Sequence, residues 1–238
     1  MTEKNKPSIL LSALDNYGAH PFDEIFDIVL PAYGAEDVDT AAELSDRLVL
    51  VVWGGGDISP TIYHQKPNSY TGAGEQLSKR DRLEVELVNK AVGMGIPIIG
   101  ICRGAQLACA MSGGTLVQHV TGHGGGWHKI QTPDGELNCP SLHHQMMNLW
   151  DKEGKECFEF DKIGWMDKAV STRYLGEPEE EELGKDAKAT ELQLPYEPEI
   201  VWIPHTKSLC IQSHPEFIHD NEHPFIKYCL NLVKERMF

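Results

Sequence analysis

Three observations predict an α/β fold built on a sheet of buried strands. RLVLVVW (47–53) and IPIIGI (96–101) are continuous apolar runs, as expected of central strands covered on both faces. Between them, SKRDRLEVELVNKAVGMG (78–95) repeats Leu83, Leu87, Val88 and Ala91 at helical spacing with charges elsewhere, which is an amphipathic helix. A short helix starting near Arg103 follows the second run, and strand–helix–strand–helix order is that of an α/β sheet.

The remaining elements follow in chain order. SILLSA (8–13) is short, apolar and followed by a polar turn, so it reads as a further buried strand. Gly93 and Gly95 suit the end of the amphipathic helix. TGHGGGWHKI (121–130) reads as a Gly- and His-rich loop entering a short strand, and CPSLHHQMMNLW (139–150) as a loop turning into a helix. The acidic, Pro-bearing stretch 176–199 reads as a solvated loop or insertion. EIVWIPHTKSLCIQS (199–213) reads as a hairpin turning near His205–Lys207. Phe225, Ile226, Cys229, Leu230 and Val233 recur at helical spacing, giving a final helix.

Composition narrows the function classes. The chain has 238 residues, with 36 acidic against 21 basic residues and a formal charge of −15, which argues against a general nucleic-acid binder. No apolar run is long enough to cross a bilayer, and MTEKNKPSILLSALDNYG lacks the apolar centre of a secretion signal. Six cysteines without a close CxxC pair fit neither a disulfide framework nor a zinc knuckle. The expectation is a reducing, cytoplasmic compartment and no membrane partner.

One cysteine stands apart. Cys102 falls between the strand IPIIGI and the helix beginning at Arg103, with Gly100 and Gly104 two residues away on either side. A nucleophile on such a sharp strand-to-helix turn follows the mechanics of the serine-hydrolase elbow, and a helix N-terminus favours a thiolate. Cys109, Cys157 and Cys229 read as packing residues, while Cys139 and Cys210 have no comparable frame. QSHPEF (212–217) supplies a base and its orienter. If extension continues, alternation puts His214 and Glu216 on the same side. His205, His219 and His223 compete for the base role but sit in surface-like contexts. Backbone donors for an oxyanion come from the N–H of Arg103 and from the Gly54–Gly56 turn, because strand C-termini in a parallel sheet share one crevice.

These stretches resemble the class I glutamine-amidotransferase-like hydrolases, in the cysteine peptidase C26-type group that includes gamma-glutamyl-gamma-aminobutyrate hydrolase. The matching motifs are WGGGDISPTIYH (53–64), KRDRLEVELVNKA (79–91), GICRGAQLACAMSGGTLVQH (100–119), SLHHQ (141–145) and QSHPEF (212–217). The segment NYGAHPFDEIFDIVLPAYGAEDVD and the acidic 176–199 stretch depart from the family pattern. The resemblance implies a flavodoxin-like three-layer sandwich with a central, mostly parallel sheet, and a single domain over residues 1–238. It implies Cys102 as nucleophile, His214 as general base, Glu216 as orienter, and an oxyanion hole from Gly55 and Arg103. Gly56, Gln106, His143, His144 and Gln145 would line the substrate pocket. The implied reaction releases glutamate and an amine from a small gamma-glutamyl amide through a thioester, with no cofactor.

Three alternatives remain at this level. A glutaminase subunit could deliver ammonia to a synthetase on another chain. A binding protein could keep the scaffold with a remodelled pocket. Metal chemistry is raised by His119, His123, His128, His143 and His144 in one region, but their spacing matches no compact zinc motif, so no metal ligand is expected. A homodimer is the default expectation for oligomeric state.

Overall fold

The computed structural model describes residues 6–14, 19–179 and 189–238. Strand β1 (Ile9–Ala13) is followed by β2 (Ile28–Ala32), helix α1 (Ala35–Leu44) and β3 (Leu48–Val52). Helix α2 (Lys79–Met94) leads to β4 (Ile98–Ile101) and then α3 (Arg103–Met111). Short strands β5 (Thr115–Val117) and β6 (His119–Val120) precede the hairpin β7 (Trp127–Thr132) and β8 (Gly135–Pro140). Next come β9 (Met146–Asn148), β10 (Asp161–Trp165), β11 (Tyr174–Pro178) and β12 (Ala189–Glu191). The chain ends with β13 (Pro198–Ile203), β14 (Ser208–Ile211) and α4 (Pro224–Met237).

The main sheet runs β2-β1-β3-β4-β14-β13-β10-β7-β8. Its first five strands pair in parallel, in the 2-1-3-4-5 pattern of flavodoxin-like folds. The other four form an antiparallel wing entered through the β13–β14 hairpin. Helices cover both faces of the parallel half. Leu87, Val88 and Ala91 of α2, with Leu107 of α3, pack on Ile9, Leu11, Leu50 and Ile98. Phe225, Ile226, Cys229 and Val233 of α4 pack on Leu10, Val51, Ile99 and Ile211. This is the three-layer α/β arrangement the sequence implies.

Helix α2 starts on a capping box: Ser78 Oγ accepts from the Asp81 N–H at 3.0 Å and Asp81 Oδ2 accepts from the Ser78 N–H at 2.9 Å. It stops at Gly95, whose φ of +68° suits the left-handed cap. The start of α3 lies hard against β3. A Cβ on Gly104 would stand 2.0 Å from the Val52 carbonyl oxygen. Gly104→Ala is therefore expected to lower stability by about 3 kcal/mol, the upper range for forced overpacking, read as a fall in the urea midpoint at constant m. An unchanged midpoint would show that α3 can lift off the sheet.

Three expectations are corrected. Residues 139–150 hold no helix: Met146–Asn148 is a strand paired antiparallel with β5. The 176–199 stretch is not a simple solvated loop, because its flanks pair as β11 and β12, and Glu197 and Glu199 are buried. Residues 180–188, its most acidic part, lie outside the described residues. Cys157, expected to pack, is exposed. Residues 19–39 of the early segment hold β2 and the first half of α1 and so supply the parallel edge of the sheet, while residues 15–18 lie outside the described residues. Among the described residues no helix is long and apolar enough to cross a membrane.

Candidate active site

The C-terminal ends of three neighbouring strands converge on one crevice, the usual ligand position in an open parallel sheet. β3 ends in Gly54–Gly56, β4 ends in Cys102, and β14 ends in Gln212–Ser213–His214. Cys102 is the N-cap of α3 and has φ +48°, ψ −104°, a conformation that L residues rarely adopt. Its N–H donates to the Ile211 carbonyl at 2.7 Å, locking the elbow to the strand that carries His214. The thiol is nearly buried, 4.0 Å from the Leu142 carbonyl oxygen and 3.8 Å from Gln212 Nε2.

His214 Nδ1 and Glu216 Oε1 lie 2.7 Å apart. They meet because Pro215–Phe217 forms a 3-10 turn, not because extension continues. The Phe217 ring stacks on His214 at 4.5 Å and 1°. Gly54 closes the opposite side: a Cβ there would stand 2.9 Å from His214 Cε1 and 3.6 Å from Cys102 Cβ. Burial opposes charge on His214, but the Cys102 thiol and the Glu216 carboxylate outweigh it and push its pKa up to about 10. A group whose folded pKa is raised stabilises fully below its unfolded value and loses that contribution as pH rises through the folded one. The stability advantage of the wild type over His214→Gln should thus be largest below pH 6.5 and shrink toward pH 10. Urea unfolding of both proteins across that range measures it, and an advantage that grows with pH would refute the ion pair.

A buried charge network supports the elbow from behind. Arg103 donates to Asp81 Oδ1 at 2.5 Å and to Glu84 Oε2. Arg80 donates to Glu84 Oε1 at 2.8 Å and to the carbonyls of Trp53 and Gly54 at 3.0 and 2.9 Å. One face of α2 thereby ties the glycine turn after β3 to the residue after Cys102. In the sequence these charges stand out only as part of the KRDRLEVELVNKA motif, and their bracing role is visible only in the fold. The signal was charge at positions 80, 81 and 84 on one face of a helix.

The expected pocket residues divide. Gln106 Nε2 donates to the Gln145 carbonyl at 2.9 Å, and Gln145 Nε2 to the Gln118 carbonyl at 3.3 Å, so both hold the wall beside α3. His144 Nε2 sits 2.9 Å from Asp57 Oδ1, and that hydrogen bond raises its pKa. Gly56 is exposed beside Asp57. His143 turns the other way, stacking on His123 at 4.6 Å in a buried cluster with Glu199, instead of lining the crevice at Cys102. Gly55 has φ +151°, and a Cβ there would meet the Arg80 guanidinium at 2.2 Å. His205 and His219 are exposed, and His223 caps α4 by accepting from the Phe225 N–H at 3.2 Å.

The Peptidase C26 family profile matches residues 24–153, a stretch that includes the glycine turn, α2, the Cys102 elbow and the SLHHQ segment. The chain belongs to the Peptidase C26 family. Its curated relatives include the glutamine amidotransferase-like protein YvdE of Lactococcus lactis, 34% identical over 106 residues, 44% of this chain and 43% of that protein. Rv2859c of Mycobacterium tuberculosis, which carries a glutamine amidotransferase name, is 35% identical over 101 residues, 41% of this chain and 32% of its own length. The match thus spans less than half of each relative. Two solved structures share the fold at 12% identity. A glutamine amidotransferase from Thermotoga maritima has a TM-score of 0.53, covering 96% of this chain and 85% of that one. PurLQS from the same organism has a TM-score of 0.55, covering 96% and 99%. The fold of this C26 chain is thus shared with solved glutamine amidotransferase structures.

Proposed function

We propose that this C26 member is a cysteine-dependent hydrolase that cleaves a gamma-glutamyl amide of a small molecule, with Cys102, His214 and Glu216 as its triad. The observation that carries the reading is Cys102 in a strained turn at a helix N-terminus, beside an imidazole held by Glu216 at 2.7 Å. The substrate class is supported by relatives named for glutamine amidotransfer, since glutamine is the simplest gamma-glutamyl amide.

In the first half-reaction the Cys102 thiolate attacks the amide carbonyl carbon. The oxyanion accepts hydrogen bonds from the N–H groups of Arg103 and Gly55. His214 gives its proton to the departing amine as the C–N bond breaks, leaving a gamma-glutamyl thioester. In the second, neutral His214 takes a proton from water, which attacks the thioester. The C–S bond breaks, glutamate leaves and the thiolate–imidazolium pair is restored. Glu216 fixes the tautomer and steadies the charged imidazole throughout. Gln106 and Gln145 shape the glutamyl side of the pocket, and His144 with Asp57 its outer rim.

The test is exposure to a glutamine-like chloroketone followed by peptide mass spectrometry. The expected adduct is on Cys102. An adduct on Cys109 or Cys210 with Cys102 unmodified would overturn the site. A panel of gamma-glutamyl amides against glutamine, each assayed for free glutamate, then defines the leaving amine.

A further inference from the structure

The strongest unexplained feature lies behind the loop that carries Leu142. His123, His128 and His143 surround the buried carboxylate of Glu199, although they come from the loop before β7, from β7, from the stretch after β8 and from β13. Glu199 Oε1 stands 3.4 Å from His128 Nε2, 3.9 Å from His123 Nδ1 and 3.9 Å from His143 Nε2. None of these four atoms has a hydrogen-bond partner, and all are buried. Ligating atoms of His123, His128 and Glu199 fall within 4.8 Å of one another.

The outer atoms of the cluster decide what belongs in its centre. His143 Nδ1 lies 2.9 Å from the Gln145 carbonyl oxygen, so it must donate there, and Nε2 then presents a lone pair. His123 Nε2 lies 3.4 Å from Glu197 Oε2, which favours a proton on Nε2 and a lone pair on Nδ1. Glu199 Oε2 already accepts from Ser213 Oγ at 2.9 Å. Acceptor atoms therefore face Glu199 Oε1 from two sides in a dry interior, which is unfavourable unless a positive charge sits among them. Imidazoles whose far nitrogen donates to a carbonyl or carboxylate are the usual metal-bound form.

We propose that His123, His128 and Glu199 supply three ligands of a tetrahedral site for a divalent cation of the zinc class. Tetrahedral coordination with bonds near 2.1 Å places ligand atoms about 3.4 Å apart, so the His128 edge to Glu199 already fits and the His123 edge must shorten by about half an ångström. None of its ligands is Cys102, His214 or Glu216, so the ion is structural and takes no part in the proposed cysteine chemistry. Its place explains a link to the crevice. It would pin the His123 loop to β7 and β13; the His123 carbonyl accepts from the His143 N–H at 2.9 Å, next to the Leu142 carbonyl beside Cys102, and Glu199 accepts from Ser213 next to His214.

The test uses the full chain purified without a histidine tag, loaded with Zn²⁺ or Co²⁺, dialysed and measured by elemental mass spectrometry. The expected result is close to one ion per chain, with intense visible Co²⁺ bands of tetrahedral type, in the wild type and equally in Cys102→Ser. His128→Gln and Glu199→Gln should lose the ion at least tenfold. Circular dichroism checks their fold, and His128→Gln decides alone if Glu199→Gln does not fold. Failure to retain metal, unaltered retention in a folded His128→Gln, a six-coordinate Co²⁺ spectrum, or loss of the ion in Cys102→Ser would each overturn the site. These readouts do not depend on turnover, so they stand apart from the cysteine chemistry.

Discussion

Cys102→Ser is expected to lower gamma-glutamyl amide turnover by about 10⁴-fold or more, the scale on which triad enzymes lose rate when the nucleophile goes. The elbow would survive, because its geometry rests on the backbone. The Cys102 N–H is held by Ile211, Gly104 seats α3 against β3, and Arg103 is anchored in the α2 network. Serine fits the same space, and its hydroxyl is far harder to ionise than a thiol. The measurement is kcat for glutamate release together with the thermal midpoint. A large fall in kcat with an unchanged midpoint supports Cys102 as the bond-forming atom. Unaltered turnover would refute it, and a lost midpoint would move the role of Cys102 from chemistry to folding.

The parallel half of the fold was legible because each of its central strands is covered on both faces. β3 and β4 read as unbroken apolar runs, β1 is apolar but for Ser12, and α2 shows one apolar stripe. The antiparallel wing was less legible for a physical reason. β7 and β8 mix exposed, half-buried and buried positions and carry histidine, lysine and glutamate, so their periodicity is diluted. β13 shows the same difficulty in sharper form. Glu199 sits in a fully buried strand, yet in sequence it looks like the end of an acidic loop. Its partners are three histidines more than 50 positions away, a juxtaposition that no local spacing encodes. The candidate triad was easier, since one member lies on a strand–helix turn and the other two are separated by one residue. Even there alternation was the wrong geometric reason, because a 3-10 turn at Pro215 brings the imidazole and carboxylate together.

Arg103→Leu is expected to destabilise the protein by about 3–5 kcal/mol, the range for removing one partner of a buried ion pair. Arg103 is 2% exposed, Asp81 1% and Glu84 0%, so the carboxylates left behind cannot turn to water. Arg80 still reaches Glu84, and the Ser78 N–H still reaches Asp81, which keeps the loss within that range. Burial lowers the Arg103 pKa to about 10, with repulsion from Arg80 adding to the effect, yet the guanidinium stays protonated at neutral pH because Asp81 holds it. Arg103→Lys should fall between the two: it keeps the charge but has no planar fork to span both carboxylates. Urea unfolding of the three proteins at constant m orders them as wild type, lysine, leucine. Equal midpoints for wild type and leucine would mean that the network does not hold the fold. Since Arg80 also grips the Trp53 and Gly54 carbonyls, loosening Glu84 should reach the glycine turn, so chloroketone labelling of Cys102 in the lysine variant should slow under conditions where the protein remains folded. That coupling would place α2 as the brace that sets the spacing between the turn after β3 and the elbow after β4.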